Sequence, residues 1–320
     1  MSSAIRQLLA PVGEQTFFDE YWEKRSLHLR GAADRLPFTF GRADFFAALA
    51  GSPVVKIAYR DGTGQHRECP VTAEQAPKLY EAGMSICGAH LEGGDARLKH
   101  FIAQLDAGLT QAGAFHLNGY LSPADKGFGV HFDNHSVWIL QMEGSKRWFY
   151  SETPEVPYPL TNLIYPLRQD TFRLPWYTVA RPDRSTFTEV VLEPGDVLYL
   201  PAGAWHETQA GSYSLSLTLA QEPVYAAQFV ADLLRAGCLH RLSGRRFLPG
   251  QLPGADTDAA RQPLLEAFEA CLATMRTALD GLTPERLCRM WEAQAAASRK
   301  TPAAGDGAAT PAPAISAPGN

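Results

Sequence analysis

Gly129-Val130-His131-Phe132-Asp133-Asn134-His135-Ser136-Val137-Trp138-Ile139-Leu140-Gln141-Met142 is the stretch on which the reading of this chain turns. Across 130–142 the side chains alternate with the period of a strand. The neighbouring segments repeat the pattern. Residues 115–121 alternate, Glu143-Gly144-Ser145 reads as a turn, and 146–150 return as the next strand. Residues 186–192 precede the turn Glu193-Pro194-Gly195-Asp196, residues 197–200 follow, Pro201-Ala202-Gly203 turns again, and 212–219 close the series. Many short strands punctuated by glycine and proline predict a mainly β core, an antiparallel barrel or jelly roll, with flanking helices.

Before the core, residues 16–24 predict an amphipathic helix with Thr16 as N-cap, and 26–31 a strand ended by Gly31. Residues 42–50 and 72–81 predict helices, and 53–70 a hairpin turning at Asp61-Gly62. After Pro223 helices are expected over 226–236, 261–279 and 284–297, the last with Thr283 as cap and Pro284 at its first position. Leu264, Phe268, Cys271, Leu272 and Met275 recur at helical spacing as core or interface positions. From about residue 300 the Ala-, Pro- and Gly-rich run predicts a disordered tail. Four segments result: 1–114 packing on the barrel, the barrel at 115–222, a helical region at 223–299, and the tail at 300–320.

Residues two apart on a strand share a face, so His131 and Asp133 reach one point together. Gly203-Ala204-Trp205-His206 brings a second histidine from a distant strand. Two imidazoles and one carboxylate suit Fe(II), leaving other coordination positions open for a co-substrate and O₂. His135 shares the predicted face of His131 and Asp133 and is a rival ligand. On one extended strand, however, the three would spread over about 13 Å, which favours His206 and leaves His135 lining or capping the pocket. A 2-oxoacid co-substrate also needs a cation for its far carboxylate. Lys146, on the strand expected to pair back onto that of His131, could supply it as a point charge, and equally could belong to a solvated turn. Asn118 and Tyr120 share one strand face, as do Ser216 and Thr218. Each could point into the cavity or serve the core.

Composition narrows the function classes. The 320 residues are 45% hydrophobic and 20% charged, ordinary for a globular protein. A net charge of −5 without a basic run gives no footprint for nucleic acid. Cys69, Cys87, Cys238, Cys271 and Cys288 form no CxxC pair. They read as buried reduced thiols rather than a zinc site or a disulfide framework. No signal-like or membrane-spanning apolar run is present, so the expectation is a cytoplasmic protein without membrane partners.

The ordered motifs resemble a known group. Tyr21-Trp22-Glu23-Lys24-Arg25-Ser26-Leu27-His28-Leu29-Arg30-Gly31, then Asn118-Gly119-Tyr120, then 131–135, then Leu140 to Trp148, and finally Gly195-Asp196-Val197-Leu198-Tyr199-Leu200-Pro201 through Glu207 are similar to the Jumonji-C, cupin-like oxygenases related to the ribosomal oxygenases. Together they span about residues 17–220. The resemblance implies a double-stranded β-helix with Fe(II) held by His131, Asp133 and His206. It implies 2-oxoglutarate bound through Lys146, with Tyr120 and Asn118 as helpers, and Ser216 on its strand face is counted with them as a co-substrate contact. It further implies hydroxylation of a protein or peptide side chain, with release of succinate and CO₂, and a homodimer formed through the C-terminal helices.

Two departures bear on the substrate. Ser136 stands where many relatives carry an acidic residue, and the roughly 80 residues between barrel and tail are few for the winged helix that ribosomal oxygenases carry. A natural-product precursor peptide therefore stands beside a ribosomal protein as substrate, and N-demethylation differs only in the carbon presented. The competing readings are a cupin metalloenzyme independent of 2-oxoglutarate, with His135 or His116 as an extra ligand, and a non-catalytic cupin binding module.

Overall fold

The structure, a computed structural model, describes residues 3–108, 114–165, 170–174, 177–245, 247–248 and 258–298. The expected tail at 300–320 lies outside the described residues. The chain divides into two compact units, Met1–Pro223 and Val224–Asn320.

The first unit holds the described strands: β1 Leu27–Leu29, β2 Val54–Arg60, β3 His66–Val71, β4 Ser85–Ala89, β5 Phe115–Ser122, β6 His131–Phe132, β7 Ser136–Tyr150, β8 Leu163–Ile164, β9 Thr171–Arg173, β10 Thr178–Ala180, β11 Thr188–Leu192, β12 Val197–Leu200 and β13 His206–Gln221. Apart from the small β9–β10 ribbon, they form one sheet in the order β1-β12-β7-β13-β5-β4-β2-β3, with β11 on β7, β6 on β13 and β8 on β6. The pairings are antiparallel, and the sheet rolls into the expected double-stranded β-helix with flanking helices.

The roll depends on two long strands, β7 and β13, each serving both halves of the barrel. Residues 137–140 of β7 pair with β12 and residues 146–150 with β11, while β13 follows β7 along its whole length. The turn expected at Glu143-Gly144-Ser145 is therefore a bend inside one strand. Gly144 adopts φ 62°, and a Cβ there would lie 1.8 Å from the Tyr213 carbonyl oxygen, so the bend requires glycine. The register of β13 shifts opposite it, between Ala210 and Ser214. Conversely, the strand expected over 130–142 is broken. Residues 133–135 leave the ladder, because the Asn134 N–H donates to the Asn162 side chain and the Asp133 carbonyl accepts from Gly203 N–H at 2.9 Å.

Alternation along β7 sorts its side chains. Trp138 and Leu140 enter the main core with Phe17, Leu29 and Tyr199, whereas Val137, Ile139 and Trp148 face the interior of the roll. The boundary drawn at 114/115 is not a division of the structure: β1 pairs with β12 and β4 with β5, so the N-terminal segment is part of the sheet. Residues 16–24 also differ from expectation. A short helix Glu14–Thr16 runs into a π-turn Phe17–Tyr21, so Thr16 lies inside the helical segment and Gly13 precedes it. The hairpin turns over 61–65, with Asp61 accepting from Thr63 and Gln65 N–H groups.

The second unit contains helices Ala226–Leu239, Asp258–Asp280 and Pro284–Ser298, and Thr283 Oγ1 caps the last by accepting from Arg286 N–H. On the middle helix Leu264, Ala267, Cys271, Thr274 and Ala278 are at least half-buried, while Leu265, Phe268, Leu272, Met275 and Leu279 are exposed. The cysteines are all free. Cys238 is buried, Cys87 and Cys271 half-buried, and Cys69 and Cys288 exposed, so the expectation of uniformly buried thiols is corrected.

Candidate metal and co-substrate site

The barrel's own ladder assembles the three expected metal ligands. His206 opens β13 directly opposite His131 on β6, and Asp133 follows two residues later, tethered by Gly203. One ligand atom from each lies within 4.8 Å of the others, the one such group of three or more among the described residues. His206 Nε2 is 3.6 Å from Asp133 Oδ2, and the two imidazole centroids are 4.0 Å apart.

Backbone carbonyls determine which nitrogen of each ring is free. His131 Nδ1 meets the Gly129 carbonyl at 2.7 Å and His206 Nδ1 meets the Ala204 carbonyl at 3.0 Å. A carbonyl only accepts, so each Nδ1 carries a proton, and Nε2 is the ring nitrogen left for a metal. Burial, with the neighbouring His131, pushes His206 down to about 3, so it is neutral at ordinary pH. Burial raises Asp133, but the surrounding imidazoles outweigh it and hold the carboxyl below its usual value. Two imidazole nitrogens and one carboxylate oxygen on one side of a cavity fit a divalent iron-type ion.

That cavity has a volume of about 490 Å³ and is walled by Lys146, Trp148, Tyr120, Asn118, Ser216 and Thr218, among others. Lys146 is only 2% exposed. Its ammonium lies 5.6–5.9 Å from the ring centroids of Phe128, Trp148 and Tyr120, and no ion pair to it occurs among the described residues. Burial draws its pKa down to about 8. The Ser216 hydroxyl is buried without a hydrogen-bond partner in the same wall. Tyr120, hydrogen-bonded with Asn118, is raised well above 10 by burial and nearby negative charge, so its phenol stays protonated. An uncompensated cation, an orphan hydroxyl and a phenolic donor together form a receptor for a carboxylate.

The expected residues thus converge, with two corrections. Lys146 arrives on the continuation of β7, paired with Ala210 and Leu192, rather than on a strand returning onto that of His131. His135 leaves the face of His131 and Asp133 at the break in the ladder. Its ring meets His116 at 5.9 Å, and His116 stacks on His90 at 4.6 Å, so neither is a further ligand of the triad. Sequence reasoning missed Trp148, although its i+2 spacing from Lys146 offered a signal. It also missed Phe128, Cys87 and the Lys56–Glu68 pair, which the roll brings in from remote positions. Burial pushes the Cys87 thiol up to about 12, so it is protonated and inert.

Residues 96–229 match the family model described as JmjC domain. YxbC of Bacillus subtilis, an uncharacterized protein, is 24% identical over 301 residues, covering 89% of this chain and 90% of its own length. Ribosomal oxygenase 1 of Gallus gallus is 28% identical over 232 residues, 67% of this chain, and the chain spans only 36% of that relative's length. The solved structure of YcfD, a ribosomal oxygenase from Escherichia coli, in complex with cobalt and 2-oxoglutarate superimposes with a TM-score of 0.54 at 18% identity, covering 86% of this chain and 68% of that one. At that identity the likeness concerns the fold.

Proposed function

From the premise that this chain carries a JmjC domain and is related to the ribosomal oxygenases, we propose that it is an Fe(II)- and 2-oxoglutarate-dependent oxygenase that hydroxylates a side chain of a protein or peptide. The observation that carries the reading is a triad of two imidazoles and one carboxylate, His131, Asp133 and His206, sharing one cavity with a buried lysine that forms no ion pair among the described residues.

His131, Asp133 and His206 would hold the iron, which with 2-oxoglutarate and O₂ would supply the oxidising power for hydroxylating a C–H bond, with succinate and CO₂ as the other products. The protein's own contribution is positional. Lys146 neutralises the distal carboxylate of 2-oxoglutarate, with Ser216 and Tyr120 as hydroxyl donors. The apolar wall of Val137, Ile139, Phe128 and Trp148 keeps water out. At the rim, Val54 and Ile164 are exposed apolar residues beside the cavity, suited to a polypeptide that inserts one side chain. A cupin metalloenzyme without 2-oxoglutarate would have no use for a buried, unpaired lysine. A non-catalytic module would have no use for the triad.

The exposed residues Leu265, Phe268, Leu272, Met275 and Leu279 alternate at spacings of three and four, the seam of a coiled coil, and we assign them to a homodimer. The free cysteines accord with a reducing compartment, the cytoplasm. No helix among the described residues is long and apolar enough to cross a membrane.

The test is incubation of iron-loaded protein with 2-oxoglutarate and two peptide sets, ribosomal-protein segments and short precursor peptides. Succinate release and a mass gain of one oxygen atom in one set support the reading. His131→Ala and Asp133→Ala should abolish both signals, and unchanged turnover in either variant would remove the triad from the mechanism.

A further inference from the structure

Glu23 lies outside the cavity, in a stretch that leads from the helical segment over residues 14–21 into β1. Its backbone nevertheless adopts φ 55°, a left-handed conformation that a residue with a side chain adopts at a cost. Something in the surroundings holds it there. The Glu23 N–H donates to the Tyr199 hydroxyl at 3.0 Å, and its carboxylate accepts from the Ser136 hydroxyl at 2.5 Å. Tyr199 in turn donates to Ser136 Oγ at 3.3 Å, and the Ala202 N–H donates to the same oxygen at 3.2 Å. Ser136 and Tyr199 are buried.

The hydrogen-bond accounting of this knot closes in only one direction. A hydroxyl has one proton and two lone pairs. Because a carboxylate can only accept, Ser136 must give its proton to Glu23, which turns both lone pairs toward Tyr199 and Ala202. The two ends of the knot are the two ends of the metal site. Ser136 begins β7 three residues after Asp133. Ala202 precedes Gly203, whose N–H holds the Asp133 carbonyl, in the turn that delivers His206. That turn leaves little slack: Gly203 has φ 79°, and a Cβ on it would lie 1.8 Å from the Val156 carbonyl oxygen.

We infer that Glu23 is a positioning residue for the metal centre, acting through Ser136 to lock the Asp133 strand end against the turn that carries His206. The inference rests on the metal reading given above and adds to it a brace supplied from the N-terminal segment. Outer groups of this kind typically alter metal affinity by 10- to 100-fold.

The experiment titrates the full chain with Co(II), following affinity and the visible Co(II) absorption band, beside thermal melting of the metal-free protein. Glu23→Ala is expected to weaken Co(II) binding about tenfold and to alter the band, while Glu23→Gln, whose amide oxygen still accepts from Ser136, retains most of the affinity. Glu23→Gly separates the brace from stability. Glycine relieves the left-handed strain, so its melting temperature should exceed that of Glu23→Ala, yet its Co(II) affinity should fall equally. Ser136→Ala is a second route should the Glu23 variants fold poorly, and the Glu23→Ala/Ser136→Ala double variant should bind no worse than either single one. Unchanged Co(II) affinity and spectrum in Glu23→Gly and Ser136→Ala would reduce the knot to scaffolding and overturn the inference. If the unmodified chain and His131→Ala were equally unable to bind Co(II), the metal reading itself would fail and the brace with it.

Discussion

Lys146 is a residue whose charge the folded chain tolerates without offsetting it. An ammonium with three aromatic neighbours and no ion pair among the described residues destabilises the ligand-free protein, and the same cost suits it to the carboxylate-binding role proposed above. Its ordinary pKa of 10.5 falls to about 8 in the fold. Between those values the unfolded chain holds a proton that the folded chain has released, so stability rises with pH across that window. Below about pH 8 the whole penalty is present, on the order of 3 kcal/mol. Lys146→Met without ligands should therefore be more stable than the parent at pH 7, with the difference shrinking as pH approaches 10.5. The same variant should bind 2-oxoglutarate about a hundredfold more weakly, as expected for loss of one partner of a buried ion pair. Urea denaturation across pH and 2-oxoglutarate titration check the two halves, and a stability difference that ignores pH would sink the account.

At the scale of elements, β7 and β13 do most of the site-building, because each crosses both halves of the roll. β7 carries Val137 and Ile139 to the cavity before its bend and Lys146 and Trp148 after it. The bend at Gly144 therefore sets the offset between the apolar wall and the cation. Gly144→Ala must force a Cβ against the Tyr213 carbonyl in a left-handed conformation. It should cost roughly 2–4 kcal/mol in chemical denaturation. Alanine at Gly62, where a Cβ meets nothing within 4 Å and φ is not left-handed, should be nearly neutral and serves as the control.

For the whole molecule, the homodimer proposed above rests on the exposed apolar seam of helix Asp258–Asp280. Phe268→Glu with Leu272→Glu alters residues already about half exposed, so the fold should survive while the dimer dissociates. Light scattering measures the mass, and an unchanged mass in the double variant would exclude this seam as the interface. Sequence periodicity had grouped Leu264, Phe268, Cys271, Leu272 and Met275 together. The structure separates them, turning Leu264 and Cys271 toward partial burial and leaving the other three exposed. Helical spacing identifies an apolar surface wider than one stripe, and only packing decides which part of it is covered.

The sequence by itself determined the β core, the donor set His131, Asp133 and His206, and the candidacy of Lys146, because strand alternation and ligand chemistry are local properties written in residue types and short spacings. It read 130–142 as one unbroken strand, 143–145 as a turn and His135 as sharing the face of His131, all of which the structure corrects, and it gave no sign that Glu23 braces the centre. Those were decided by tertiary structure, for a physical reason. Each depends on a hydrogen bond or steric limit between segments remote along the chain: Asn134 with Asn162, Gly144 against Tyr213, Gly203 with Asp133, Glu23 with Ser136. No local pattern encodes a contact whose partner is supplied only when the sheet closes.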